Sequence, residues 1–181
     1  MTTPPRRSNN YHPACEAAVN HQIHLELYVI YVYKSMASYF EKNMALKYVS
    51  QFLLAQSALL KEHVEELIRL QNQRSGQTRQ YDGNINRPDY NYWDSSLKAL
   101  DHALDLAINV NQNLLYIHQL AMEKKDARLT DFLEDSTLYN QVKSIEELRG
   151  HLSTFPMYPR NPEESLTENL LDKLSLDDKK D

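Results

Sequence analysis

Four stretches of largely apolar residues recur at helical spacing along this chain, and they constrain its fold more than any other feature. Residues at that spacing share one face of a helix. With only three Gly in 181 residues, the sequence has few positions suited to tight turns. It therefore predicts an all-α protein of four long helices. The stripes are Val19, Ile23, Ile30 and Ala37; Val49, Leu53, Leu60, Leu67 and Leu70; Leu97, Leu100, Leu104, Ala107 and Leu114; and Leu138, Gln141, Ile145, Leu148 and Leu152.

The connections between these stripes differ in length. The first helix begins near Tyr11 and is separated from the second by a short link at residues 41–43, and another short link at 124–126 separates the third from the fourth. Short links predict antiparallel pairs. Residues 74–93 hold two of the three Gly and show no sustained period, so they predict a long connection. Two hairpins joined by one long crossover are typical of ferritin-like four-helix bundles.

The two ends of the chain are predicted from their composition. Three Pro after the fourth stripe, Pro156, Pro159 and Pro162, predict the end of that helix. A short fifth C-terminal helix is expected to follow, with an apolar face. We therefore predict one domain at residues 11–176, with disordered tails at 1–10 and 177–181. The apolar residues of the fifth helix are Leu166, Leu170, Leu171 and Leu174.

Composition argues against several functional classes. Net charge is −5 and the Lys and Arg residues are scattered, which makes nucleic acid an unlikely main partner despite Arg6 and Arg7 in the tail. No segment approaches the roughly 20 apolar residues that span a bilayer, and the first ten residues have no apolar core for a signal peptide. Cys15 is the single cysteine, so no internal disulfide can form. We expect a cytoplasmic protein without a membrane partner, and a nuclear pool stays open.

Glu26 and His63 are the first candidates for chemistry because both fall inside apolar stripes. A buried carboxylate is costly unless it is paired, protonated or bound to a metal. Di-iron sites in bundles use about four carboxylates and two His. The residue one turn before His63 is Leu60, and the inward position of the third helix is Ala107. Two interpretations stay open: a buried acid–imidazole pair, or a remnant of a metal site.

Five short runs make the chain similar to a known family. They are LELY at 25–28, YVYKSM at 31–36, LQNQR at 70–74, NVNQ at 109–112 and QVK at 141–143. With these runs the chain resembles an animal ferritin subunit of heavy-chain ancestry, from residue 11 to 176. Small length changes occur near residue 43, in the crossover and near residue 156.

The resemblance assigns roles to the candidate residues. In heavy-chain ferritins the iron-oxidising centre uses carboxylates at the positions of Leu60 and Ala107, which supply no donor atom here. Glu26 and His63 would be the remnant of that centre, with Tyr33 and Gln141 nearby. The resemblance therefore implies a degenerate ferroxidase centre, and we predict that the chain is not an enzyme.

A second family feature is also altered. Light-chain ferritins nucleate mineral on glutamates of the second helix, and the matching stretch here, residues 51–59, contains no acid. Glu62, Glu65 and Glu66 follow within two turns. They are either weak substitutes or an ordinary solvated helix face.

The ion channels of the family are retained in sequence. At three-fold axes of the ferritin shell, the resemblance places Asp131 and Glu134 in the channel wall with His118 nearby, while a frequent Cys is Thr130. Acidic residues near a helix start also stabilise its positive end. A purely structural role is the alternative.

Three hypotheses follow from the resemblance. The first is an iron-storage subunit of a twenty-four-subunit cage that binds Fe2+ and Fe3+ without ferroxidase activity, as a homo-oligomer or together with active ferritin subunits. The second is a weakly active ferroxidase that uses residual Glu26 and His63. The third is a structural or regulatory cage no longer devoted to iron.

Overall fold

The computed structural model describes residues 11–42, 46–75, 81, 93 and 95–155, with the backbone alone for residues 136–139. Within these ranges all regular structure is helical, as predicted. The last three elements run one after another and form the predicted fourth long helix. The elements are α1 (Pro13–Glu41), α2 (Lys47–Ser75), α3 (Ser96–Glu123), α4 (Ala127–Phe132), a π-helical turn (Leu133–Thr137) and α5 (Leu138–Ser153).

The first two helices form an antiparallel pair. Near the end of α1, the carbonyl of Ala37 accepts a hydrogen bond of 2.8 Å from Ser50 Oγ near the start of α2. At the opposite end, Gln71 Nε2 donates to the carbonyl of Glu16 over 2.8 Å. The start of α2 thus packs against the end of α1, and the end of α2 against the start of α1. The two helices are antiparallel, as the short link predicts.

The other helices pack against this first pair. The hydroxyl of Tyr33 donates to the carbonyl of Ala103 over 3.0 Å, which joins α1 to α3. The hydroxyl of Ser144 on α5 donates to Gln56 Oε1 on α2 over 2.7 Å. The fold prediction of a ferritin-like helical bundle is confirmed. The crossover lies almost entirely outside the described residues, and the fifth helix and both tails lie wholly outside them.

A C-terminal cap turns the chain between α3 and α4. Lys125 has a φ of 58°, and the amide of Asp126 donates to the carbonyl of Ala121 over 2.8 Å. This is the arrangement of a Schellman motif, which satisfies carbonyls that the helix end leaves unpaired. The side chain of Asp126 then caps α4 by accepting from the amide of Leu129 over 3.1 Å.

The same aspartate joins the two helical hairpins. Arg74 near the end of α2 donates to Asp126 through both terminal nitrogens, at 3.0 and 2.9 Å. Both side chains are buried, and the guanidinium of Arg74 lies 4.5 Å from the centre of the Tyr11 ring. A bidentate contact fixes orientation as well as distance. It therefore holds α2 against α4 close to where the crossover begins.

The predicted stripes form the core. Of the members whose side chains are described, all but two are buried, and Leu70 and Leu97 are half-buried at its edge. The fourth helix ends at Ser153, just before the three Pro, as the sequence predicts. Among the described helices, none combines the length and the apolar character needed to cross a membrane.

Candidate functional site

Glu26 and His63 form a hydrogen-bonded pair inside the bundle. His63 Nδ1 lies 2.5 Å from Glu26 Oε1, and the side chains are 10% and 0% exposed. The antiparallel packing of α1 and α2 brings together these residues, which are 37 positions apart. A carboxylate only accepts hydrogen bonds, so the proton of this contact belongs to Nδ1.

Gln22 is a third member of this cluster that the sequence analysis missed. Its Nε2 donates to Glu26 Oε2 over 3.0 Å and approaches the carbonyl of Val110 at 3.4 Å. Gln22 lies one helical turn before Glu26, and this spacing was the signal that could have found it. Both carboxylate oxygens of Glu26 therefore accept a hydrogen bond from a neighbouring side chain.

A cavity of about 80 Å³ lies beside this cluster. Its lining includes His63 and Gln141, together with the buried apolar side chains of Leu60 and Ala107. The four residues are therefore close in space, as the resemblance implies. Leu60 and Ala107 have only carbon atoms in their side chains, so these two side chains offer no ligand for a cation.

Tyr33 also lines the cavity, but its hydroxyl is engaged elsewhere. It donates to the carbonyl of Ala103 on α3 over 3.0 Å, and burial raises the pKa of the phenol well above its ordinary value. The phenol thus stays protonated at neutral pH. Its role in this structure is to join two helices beside the cavity.

These residues do not fit a pair of adjacent iron ions. Two ions need several hard oxygen ligands with enough negative charge to offset theirs. Glu26 is the only acid among the four centre positions that the resemblance predicts, and its oxygens are engaged by His63 and Gln22. Within the described part of the chain, no three His, Cys, Asp or Glu side chains already stand together as a metal-binding group.

The mouth of the cavity differs from its interior. Glu62 and Glu66 line this opening, one helical turn apart, and both are exposed. His63 Nε2 is buried and has no hydrogen-bond partner among the described residues. Of the acids that the sequence suggested as weak substitutes, these two border the cavity, whereas Glu65 is not part of its lining.

A second histidine–glutamate pair lies where α3 faces the fourth helix. His118 Nε2 donates to Glu134 Oε1 over 2.7 Å, and the side chains are 21% and 57% exposed. Glu134 belongs to the π-helical turn, whose wider winding interrupts the fourth helix at this point. The sequence predicted that these two residues lie near each other. It did not predict the π-helical turn.

Two residues near this pair, Asp131 and Thr130, differ in whether their side chains are free to bind a cation. Asp131 is exposed on α4, one turn before Glu134. Thr130, which stands where the family often has Cys, donates its hydroxyl to the carbonyl of Ala127 over 2.9 Å. Its side chain is therefore hydrogen-bonded to its own helix. His118 and Glu134 are thus in contact, and the exposed Asp131 stands one helical turn before Glu134.

A comparison with models of protein families agrees with the helical fold. Residues 16–158 match the family model described as a ferritin-like domain. The match begins in the first turn of α1 and extends past the end of α5, so it covers all four long helices.

Proposed function

This chain belongs to the ferritin family, and from that premise we propose that it is a subunit of a hollow iron-storage cage that holds iron without oxidising it. The cargo would be Fe2+ and Fe3+. The cage would contain twenty-four subunits, either copies of this chain or a mixture with catalytically active ferritin chains. Its proposed location is the cytoplasm.

One observation carries the proposal that the subunit lacks ferroxidase activity. Glu26 has both of its oxygens engaged by neighbouring side chains, and Leu60 and Ala107 occupy the sides where further ligands would be needed. Paired iron oxidation requires two ions held at once by hard donors. The cluster around Glu26 has too little negative charge and too few hard donors to hold two ions.

The acidic cluster supports the uptake of cations. Asp131 and Glu134 are exposed, one turn apart, and His118 lies 2.7 Å from Glu134. If three subunits met around an axis, six carboxylates would surround it. Such a ring focuses the electrostatic field and attracts divalent cations, which it can bind while they keep part of their water shell.

Oxygen consumption by the purified homo-oligomer in the presence of ferrous iron tests this function. We expect the rate of oxygen consumption to equal that of buffer. The hollow interior of the cage, loaded through the acidic cluster of Asp131 and Glu134, should still retain iron. Rapid oxygen-dependent oxidation by the unmodified protein would overturn the proposal in favour of residual activity at Glu26 and His63. Light scattering on the same sample tests the cage, because a stable monomer or dimer contradicts it.

A further inference from the structure

The imidazole of His63 has the arrangement of a metal ligand on its outer nitrogen. Metal-binding histidines usually donate their second ring N–H to a carboxylate, which fixes the tautomer and orients the ring. Here the Nδ1 proton is held by Glu26 over 2.5 Å, and Glu26 is itself held by Gln22 over 3.0 Å. With its proton on Nδ1, the neutral tautomer of the ring has its lone pair on Nε2.

That lone pair is left unsatisfied in the interior. His63 Nε2 is buried without a hydrogen-bond partner in the described part of the chain, and the ring lines the cavity. A buried polar atom with no partner is rare in a native protein, since its desolvation costs about 1–3 kcal/mol. Something that accepts the lone pair of Nε2 would remove this cost.

We propose that one divalent transition-metal ion binds at the mouth of this cavity, with His63 Nε2, Glu62 and Glu66 as its ligands. Glu26 then acts as a positioning residue that does not touch the ion. This deepens the proposed function, on which it rests, because in an iron cage the bound ion would be a single Fe2+ of the cargo. It differs from a paired centre in ion number, and it leaves Nδ1 hydrogen-bonded to Glu26.

The carboxylates can reach such an ion by side-chain rotation. Glu62 and Glu66 line the same opening, and residues four apart on a helix have Cβ atoms about 5–6 Å from each other. Both are exposed, so their staggered torsions can change at little cost. The three groups do not yet form a cluster in this structure, so the site closes as the ion binds.

The donor set selects the class of ion. One imidazole nitrogen with two carboxylates suits Fe2+, Co2+ and Zn2+, whereas Mg2+ and Ca2+ prefer oxygen donors alone. Two carboxylates offset the double charge, so the complex at the mouth is neutral. Gln141 and Asn140 on α5 also line the cavity.

Co2+ is the probe for this site because its visible spectrum reports coordination and because air does not oxidise it in this donor set. The titration uses the full chain carrying Asp131→Asn and Glu134→Gln, which removes binding by the acidic cluster. We expect one Co2+ per subunit. Glu62→Gln with Glu66→Gln should weaken binding by about tenfold or more, and His63→Gln should abolish it.

Glu65→Gln is the matched control, because Glu65 is an exposed acid on the same helix that does not line the cavity. It should leave Co2+ affinity unchanged. Equal losses in the Glu65 variant and in the Glu62 and Glu66 variant would reduce the effect to general surface charge and overturn the proposal. Since these three residues are exposed, their variants should fold normally.

The role of Glu26 has its own readout. In Glu26→Gln the amide can present N–H to Nδ1, which moves the ring proton to Nε2 and should weaken Co2+ binding by about 10- to 100-fold. The 15N shifts of His63 report that exchange of tautomers directly. An unchanged tautomer together with weaker binding would assign Glu26 a structural role only.

Anomalous diffraction from Co2+-soaked crystals decides the location. The ion should lie about 2.1 Å from Nε2. Density between Glu26 and Nδ1, or a water alone beside Nε2, would overturn the inference while leaving the inactive cage intact as a proposal. Conversely, rapid iron oxidation by the unmodified protein would remove the proposed function and leave a Co2+ site on Nε2 standing.

Discussion

Two histidine–glutamate pairs in this bundle have the same chemistry and lie in opposite surroundings. His63 and Glu26 are 2.5 Å apart with side chains 10% and 0% exposed, whereas His118 and Glu134 are 2.7 Å apart and 21% and 57% exposed. Water can replace the partner of an exposed carboxylate at little cost. A buried carboxylate has no such substitute, so it keeps its partner.

The difference shows that residue type alone does not make a cation site. Glu134 can release His118 and turn to a cation, because solvent compensates the histidine. Glu26 cannot do so without leaving the Nδ1 proton of His63 and the amide of Gln22 unpaired in the interior. We therefore propose that the exposed pair takes part in ion uptake and that the buried pair orients the imidazole ring of His63.

The strongest way to break this comparison is to supply the missing carboxylates. Leu60→Glu with Ala107→Glu should convert the buried cluster into a centre for two ions and raise ferrous oxidation by about 100-fold or more over the parent, since the metal provides a new reaction path. Oxygen uptake measures this. Leu60→Gln with Ala107→Gln is the uncharged control and should stay at the parent rate. A double Glu variant that binds iron but remains inactive would contradict the prediction.

Removing one acid from each pair compares their contributions to stability. Glu26→Ala should lower the free energy of unfolding by about 3 kcal/mol, because it leaves two buried donors unpaired. Glu134→Ala should lower it by less than about 1 kcal/mol. Denaturant midpoints with unchanged slopes test both values. Similar losses in the two variants would show that burial does not make the two pairs differ in their contributions to stability.

The exposed cluster should govern ion uptake. Asp131→Ala with Glu134→Ala should slow the loading of divalent ions by about tenfold at low salt, because the focused field is lost. Added salt screens the field of the parent and should reduce the difference. Stopped-flow loading of intact cages measures it. Equal loading rates in an assembled variant would leave these two acids with only the stabilisation of a helix start.

The smallest expected effect is on the pH dependence of stability, and it comes from a third histidine, His151, through burial alone. Burial lowers the pKa of His151, whose ring packs against Tyr48 and Phe52, below its ordinary value of 6.5. The folded state therefore binds a proton less readily than the unfolded state. The stabilisation is complete above pH 6.5 and is lost as pH falls towards the lowered pKa.

His151→Phe keeps the ring contacts and removes the titration. Unfolding free energies measured between neutral and mildly acidic pH should fall less steeply in this variant than in the parent. The stability difference between them should be smaller than the loss in Glu26→Ala. Parallel pH profiles would show that His151 does not contribute to the acid sensitivity of the fold.

The sequence predicted the four long helices, and it identified the residues of both histidine–glutamate pairs as candidates. It could not choose between an acid–imidazole pair and a metal remnant, because the choice depends on which nitrogen of His63 faces Glu26. It missed Gln22, although its position one helical turn before Glu26 was a signal in the sequence. The π-helical turn at Leu133–Thr137 was also missed, since the fourth predicted stripe begins only after it, at Leu138.

The sequence by itself determined the helical stripes, the short links and the apolar side chains of Leu60 and Ala107, because period and residue type are local properties of the chain. Tertiary structure alone decided what the remaining groups can do. Hydrogen bonding and desolvation depend on atoms brought together from distant positions. The packing of α1 against α2 therefore brought His63 to one oxygen of Glu26, while Gln22 of α1 engages the other, and it left His63 Nε2 at the cavity without a partner among the described residues.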